Sequence, residues 1–197
     1  MDNPSNTRAI VFIDGNNFYY KLKEIIGDRK DTISLLGFNY NRFAVSLIKD
    51  SDLSGIKYYI GAVRRQTGPQ KEKSEKLYAN QQKLLAKLHR QNVSVVLGSL
   101  IQHPDKSFHE KGVDVRIAVE MIRLAINNKY DIAYLLSSDT DLVPAVEEVR
   151  SLRKKVIYVG VSKGQSFGLT KASNDTILLR DEDILPHFSA ESISRKA

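Results

Sequence analysis

The sequence contains no cysteine, which excludes disulfide bonds and thiolate chemistry. It has only four histidines, so a structural zinc site is not expected either, because such sites are built from cysteine and histidine. The lack of disulfide bonds fits the reducing cytoplasm, and we expect a cytoplasmic protein.

Long apolar runs are also absent from the sequence. No segment approaches the roughly 20 apolar residues that a membrane-spanning helix needs. Residues 1–7 are polar and lack the apolar centre of a signal peptide. We therefore expect no membrane association. The sequence also has neither a Gly-x-Gly-x-x-Gly motif nor a P-loop lysine motif, which disfavours a nucleotide-binding Rossmann protein.

The 197 residues, 42% of them hydrophobic, are enough for one domain with a full core. We expect a flexible N-terminus over residues 1–8, a single domain over residues 9–185 and a mobile tail over residues 186–197.

The net charge of +7 is unevenly distributed along the chain. Residues 57–90 hold nine lysines and arginines but only two acids, Glu72 and Glu75. A basic stretch of this kind indicates a polyanionic ligand, although a solvated helix face would have the same composition.

Apolar runs without polar breaks are typical of strands that are buried on both faces. They predict five strands and a short edge strand, at residues 9–13, 56–63, 93–97, 132–136, 154–160 and 176–179. Helical periodicity predicts intervening helices at residues 18–26, 40–49, 72–91, 114–127, 143–152 and 166–172. The expected apolar stripe is Leu77, Leu84, Leu85 and Leu88 in the third of these helices, and Val115, Ala118, Ile122 and Ala125 in the fourth. Residues 98–112 are predicted to be a polar loop. The alternation of strands and helices predicts an α/β fold with a mainly parallel sheet in the order 3-2-1-4-5.

Carboxylates follow two of the predicted strands. Asp14 comes directly after the first strand, and Asp139 and Asp141 follow the fourth. In the order 3-2-1-4-5 these strands are neighbours, so the acids share the C-terminal edge of the sheet, where open α/β sheets bind ligands. Asp114, at the start of the helix before strand 4, can reach the same place. Helix capping would account for the position of each acid taken alone, but it does not account for the meeting of all four. A site for Mg²⁺ or Mn²⁺ would account for their meeting, because these ions bind carboxylate oxygens.

Three motifs together resemble the NYN domain, in the LabA-like branch of the PIN-like nuclease superfamily. They are FIDGNN at residues 12–17, KGVDV at residues 111–115 and LLSSDTDLVP at residues 135–144. The resemblance covers residues 9 to about 180. It implies a Rossmann-like three-layer sandwich and a divalent-metal-dependent endoribonuclease that cleaves single-stranded or structured RNA. By position it assigns Asp14, Asp114, Asp139 and Asp141 as the catalytic, metal-binding acids.

The same resemblance suggests supporting residues. Asn17 and Ser138 stand where the family often has site residues. Glu120 stands where many relatives have aspartate, and we expect it to support the site without ligating the metal. The family's Ala-Asp near the last strand is replaced here by Ser-Asn-Asp at residues 173–175, so Asp175 is not assigned to the site.

A carboxylate cluster alone would repel RNA, so basic residues near the same edge must offset it. The candidates are Arg64, Arg65, Lys71 and Lys111. Aromatic residues also follow the first acidic turn, and a base could stack on one of them. These residues are Phe18, Tyr19 and Tyr20, and we expect each of them to pack in the core instead.

Several alternatives are compatible with the sequence. The chain could be an RNA-binding or regulatory NYN module with little cleavage activity. A phosphatase-like enzyme would carry its Asp-x-Asp pair after the first strand, whereas here that strand leads into Asp-Gly-Asn-Asn. A histidine pair, His103 and His109, would indicate metal-free acid–base cleavage, although surface histidines are commoner. One or two metal ions, and a monomer or a homodimer, are equally compatible.

Overall fold

The structure is a computed structural model that describes residues 7–27, 33–48, 50–102, 108–162 and 164–189, with the backbone alone for residues 99–102 and 108–111. The strands in these residues form one sheet, in the order β4-β3-β2-β1-β5-β6-β7. They are β1 (Arg8–Asp14), β2 (Asp52–Gly61), β3 (Val93–Gln102), β4 (Phe108–Lys111), β5 (Ile132–Leu136), β6 (Lys155–Val161) and β7 (Asp175–Leu179).

Helices cover both faces of the sheet. They are α1 (Gly15–Ile26), α2 (Tyr40–Leu47), α3 (Lys71–Arg90), α4 (Val113–Ile126), α5 (Val143–Ser151), α6 (Phe167–Ala172) and α7 (Asp181–Ile184). All strand pairs are parallel except β3 with β4. The predicted three-layer α/β fold is therefore confirmed. The predicted order 3-2-1-4-5 is confirmed by β3, β2, β1, β5 and β6, and β4 and β7 extend the sheet at its two ends.

The central strand β1 is buried on both faces, as its unbroken apolar run predicts. Val11 and Ile13 pack into the core formed with α1 and α2. Ile10 and Phe12 pack into the second core, formed with α4, α5 and α6. The two cores hold the sheet rigidly between the helix layers, which fixes the positions of the residues at its C-terminal edge.

The prediction of a polar loop over residues 98–112 is wrong. There β3 continues to Gln102 and pairs antiparallel with β4, with Ser99 opposite Lys111. An edge hairpin needs no continuous apolar run, so its polar residues give no strand signal. His109 lies in β4, whereas His103 lies outside the described residues.

Two helices bury a face that matches the predicted apolar stripe only in part. In α3 Leu88 is buried as predicted, but Leu77 is half exposed and the other buried positions are Ser74 and Gln81. In α4 Ala125 is buried as predicted, whereas Val115 is exposed, and the other buried positions are Val113, Ile117 and Met121. Both sequences allow an apolar stripe on more than one face, so periodicity alone does not select the face that packs.

The mobile tail predicted from residue 186 is wrong for its first residues. Leu185–His187 forms a 3₁₀ helix, and Phe188 is buried and pairs with Phe38. Residues 190–197 lie outside the described part, as do residues 1–6 of the predicted flexible N-terminus. Among the described helices, none combines the length and apolar character needed to cross a membrane.

Candidate metal centre

The centre of the C-terminal edge is formed by the ends of β1 and β5. These strands are parallel neighbours with Ile13 opposite Leu136, so Asp14 and Ser137 lie side by side. The Ser137 hydroxyl donates a hydrogen bond of 3.2 Å to Asp14 Oδ2 and accepts one of 3.1 Å from the Asp139 amide. A single buried hydroxyl therefore connects the acid of β1 to the acidic turn after β5.

Asp14 is 7% exposed and caps α1. Its Oδ1 accepts a hydrogen bond of 3.0 Å from the Asn17 amide, and its Oδ2 accepts one of 3.3 Å from Asn17 Nδ2. The Asn17 side-chain oxygen in turn accepts a hydrogen bond from the Ser138 hydroxyl. Asn17 and Ser138, two supporting residues expected from the motifs, thus connect the end of β1 to the turn after β5.

The acidic turn after β5 is a 3₁₀ helix, Thr140–Leu142, that leads directly into α5. Asp139 caps it, because its Oδ1 accepts a hydrogen bond of 3.0 Å from the Asp141 amide. Asp141 lies in the first turn and is exposed. Asp139 can therefore cap the turn and still contribute to a site. The hydrogen bond that caps the turn also sets the spacing of the Asp139 and Asp141 carboxylates.

Asp114 reaches the site from α4. The alternative that Asp114 is the N-cap of this helix is wrong, because Gly112 occupies the cap with a left-handed φ of 82° and Asp114 lies inside the first turn. Glycine adopts this conformation without steric cost, which lets the helix begin abruptly after β4. Asp114 is consequently carried on a fixed helical turn that faces the end of β5.

Asp114, Asp139 and Asp141 form the acidic cluster. Each offers a carboxylate oxygen, and the three oxygens lie within 4.8 Å of one another. Two oxygens that share one Mg²⁺ ion at about 2.1 Å lie at most about 4.2 Å apart, so rotations that move these oxygens by less than about 1 Å would bring them onto one ion. Three hard oxygen donors at this spacing suit Mg²⁺ or Mn²⁺.

Asp14 lies beside the cluster and outside the set of three. An open cleft of about 180 Å³ is lined by residues of three segments: Asp14, Asn16, Asn17, Gly112, Val113, Asp114 and Asp139. The structure thus brings all four predicted acids to one place but divides them by role: three exposed or half-buried carboxylates at the rim, and one buried carboxylate that already accepts three hydrogen bonds.

Glu120 is engaged two turns further along α4. Its carboxylate accepts hydrogen bonds of 2.8 Å from both Lys57 Nζ and the Tyr59 hydroxyl, and its Oε1 lies 3.3 Å from Arg123. Burial raises the pKa of Glu120, but the bonds from Lys57 and Tyr59 outweigh it, so the pKa lies below its ordinary value. The ion pair between Glu120 and Lys57 joins α4 to β2, and so it helps to hold in place the helix that carries Asp114.

Three of the four predicted RNA-binding residues lie around the end of β2 and the start of α3. Arg64 and Arg65 are exposed on the loop that leaves this strand, and Lys71 is exposed at the start of α3. The Arg65 guanidinium lies over the Tyr78 ring, 4.6 Å from its centroid. Lys111 immediately precedes Gly112, and its side chain is not among those described.

The segment between β2 and α3, residues 62–70, carries Arg64 and Arg65 and is called the basic loop. It is held to α3 by two buried polar side chains. Gln81 donates a hydrogen bond of 2.6 Å to the Gly61 carbonyl and accepts one of 2.8 Å from the Val63 amide. Ser74 accepts one of 2.9 Å from the Gln66 amide. The arginines therefore extend from a backbone that is anchored on both sides of them.

Some residues near the site were missed or misjudged from the sequence. Lys21 lines a small pocket together with Asn17 and Ser138, and its Nζ lies 3.2 Å from Glu24. Its position four residues after Asn17 places it on the same helix face, a signal that could have identified it. The expectation of core packing is confirmed for Phe18 but is wrong for Tyr19 and Tyr20, which are 41% and 66% exposed.

The model of the NYN domain family matches residues 8–180. A crystal structure of a protein of unknown function, VPA0982 from Vibrio parahaemolyticus RIMD 2210633, has a TM-score of 0.68 and 24% identity to this chain, and the match covers 93% of this chain and 99% of that one. At this identity the likeness shows the fold alone.

The chain is also 31% identical over 70 residues to the uncharacterized protein MJ0482 of Methanocaldococcus jannaschii. That match covers 36% of this chain and 29% of the relative, so this chain matches less than a third of the relative's length.

Proposed function

We propose, because this chain belongs to the NYN domain family and NYN domains belong to a nuclease superfamily, that it is a divalent-metal-dependent endoribonuclease. The observation that supports this most strongly is the acidic cluster. Its three carboxylates come from two separate chain segments and place their oxygens within 4.8 Å of one another at the ligand-binding edge of the sheet. Helix capping requires no such convergence.

Asp114, Asp139 and Asp141 would hold the Mg²⁺ or Mn²⁺ ion, with Asp14 completing the site from the cleft directly or through water. When bound, such an ion supplies a water of lowered pKa and polarises the scissile phosphate. Ser137 and Asn17 fix the orientation of Asp14, since both bond to its Oδ2. Hydrolysis at a site of this kind leaves a 5′-phosphate and a 3′-hydroxyl.

The RNA backbone would approach the cluster across the basic side of the edge. The proposed phosphate contacts are Arg64 and Arg65, which follow β2, Lys71, which opens α3, and Lys111, the last residue of β4. Their charge offsets the repulsion between the acids and the phosphates. Such contacts to the phosphate backbone bind RNA without reading its sequence. Glu120 is proposed as a positioning residue for α4.

The test is cleavage of 5′-labelled single-stranded and hairpin RNA by the purified chain in Mg²⁺, Mn²⁺ or EDTA. We expect cleavage only with a metal, 3′-hydroxyl ends on the labelled fragments, and a loss of at least about 100-fold in rate for Asp139→Asn, because a ligand carboxylate is removed.

The matched control is Asp175→Asn. Asp175 is exposed at the start of β7, near the opposite end of the strands, and its side chain bonds only the adjacent Thr176 amide among the described groups. We expect this variant to cleave normally. RNA binding without cleavage, unchanged by Asp139→Asn, would overturn the enzyme proposal and leave an RNA-binding module.

A further inference from the structure

Phe167, the first residue of α6, is the most exposed large hydrophobic side chain among those described, at 78%. The other phenylalanines with described side chains are all buried: Phe12, Phe18, Phe38, Phe43 and Phe188. A ring this exposed loses the favourable free energy of burial that each of the others gains.

The backbone that carries this ring is firmly held. The Ser166 amide donates a hydrogen bond of 2.9 Å to the buried Tyr158 hydroxyl, and the Ser166 side chain caps α6 by accepting a bond from the Leu169 amide. Leu169 and Ala172 are buried in the second core. The exposure of Phe167 therefore belongs to a rigid element of the fold.

Gly168, the residue that follows Phe167 in α6, lies against the acidic turn. A Cβ at Gly168 would come within 3.2 Å of Thr140 Cγ2 and 3.4 Å of Val143 Cγ2. Thr140 is the residue between Asp139 and Asp141. The start of α6 is thus packed directly against the turn that carries two of the three cluster carboxylates.

We infer that Phe167 is a stacking platform for an unpaired nucleobase beside the scissile phosphate, an inference that rests on the proposed function. A phenyl ring offers no charge and no hydrogen bond, so in an RNA-binding site it recognises the face of a base, which every nucleotide presents. Paired bases within a helix have their faces already stacked. The preferred substrate class is therefore RNA with at least one unpaired nucleotide at the site, in a single strand, loop or bulge.

The test measures RNA affinity by fluorescence anisotropy in the Asp139→Asn background, which the proposed function predicts to be bound without cleavage. The ligands are a single-stranded RNA, the same RNA with one base at a time removed to leave an abasic site, and a blunt duplex of the same sequence. The protein variants are Phe167→Leu, which keeps apolar bulk without the ring, and Phe167→Tyr, which keeps the ring.

We expect Phe167→Leu to weaken single-strand binding by at least about five-fold and Phe167→Tyr to leave it unchanged. One abasic position should weaken binding to the same extent, and only when the ring is present, because the two changes remove the same contact. Duplex binding should be equal for both variants. The control is Ile126→Ala, which truncates an exposed apolar side chain on a different helix, α4, and should bind single-stranded RNA normally.

Equal single-strand affinity for the phenylalanine and leucine proteins, at every abasic position, would overturn the stacking inference and leave the proposed function intact. Absence of RNA binding in all variants, together with no cleavage by the parent chain, would overturn both. An effect of Phe167→Leu that is the same on single strands and duplexes would also overturn the inference, since a paired base cannot supply the contact.

Discussion

Glycine is the only residue that fits at position 15, directly after Asp14. A Cβ there would overlap Cε1 of the Tyr58 ring and lie 2.6 Å from the Tyr59 carbonyl oxygen. The Tyr58 hydroxyl also donates a hydrogen bond of 3.2 Å to the Gly15 carbonyl. The turn that positions Asp14 is therefore packed against β2 with no space for a side chain.

Gly15→Ala is expected to lower the free energy of unfolding by about 1–3 kcal/mol, because the methyl group forces the turn away from buried Tyr58 and from backbone that cannot yield. The measurement is chemical denaturation. The matched control is Gly55→Ala in β2, the strand that carries Tyr58. A Cβ at position 55 meets nothing within 4 Å, so we expect the free energy of unfolding to change by less than about 1 kcal/mol. Equal effects of the two substitutions would contradict this packing.

The acids themselves could be identified from the sequence, because each follows a predicted strand or opens a predicted helix. Their local roles could not all be assigned. Whether Asp114 caps α4 depends on the φ of Gly112, which the sequence permits but does not determine. The burial of Asp14 depends on Ser137, which lies 123 residues away along the chain. Contacts of this kind follow only from the strand pairing.

Helix α3 combines a basic exterior with a buried face that is partly polar. Ser74 and Gln81 occupy positions where an apolar stripe would have leucines, and they bond the backbone of the loop that carries Arg64 and Arg65. The sequence predicts this helix within one residue at each end. The choice of Leu77 as an inward residue fails because periodicity favours apolar side chains over a buried amide.

Gln81→Met is expected to leave the Val63 amide and the Gly61 carbonyl without partners, at a cost of about 1–3 kcal/mol for each buried group. The basic loop should then open more readily, so that amide hydrogen exchange at Val63 accelerates and RNA affinity falls.

The control is Gln82→Met, at the adjacent exposed position of the same helix, which should change neither quantity. Unchanged protection of the Val63 amide in Gln81→Met would show that Gln81 does not anchor the loop. A faster exchange at Val63 with unaltered RNA affinity would separate the loop from RNA binding.

Taken as a whole, the molecule places its charge according to its sheet order. Parallel strands on either side of β1 bring the basic loop after β2 and the acidic turn after β5 to the same edge. This arrangement follows from alternating strands and helices, which is why the sequence predicts the order and the meeting of the acids. The hairpin of β3 and β4 was not predictable in this way, because its strands do not alternate with helices.

On the proposed function, the acidic cluster binds the ion on which RNA cleavage depends. The direct measurement is a Mn²⁺ titration in which protein-bound Mn²⁺, followed by electron paramagnetic resonance, and the rate of RNA cleavage are determined in the same samples. The predicted result is a rate that rises in proportion to bound Mn²⁺, with both quantities reduced in Asp139→Asn and neither in Asp175→Asn. Cleavage that persists in EDTA, or unchanged Mn²⁺ binding by Asp139→Asn, would contradict the claim.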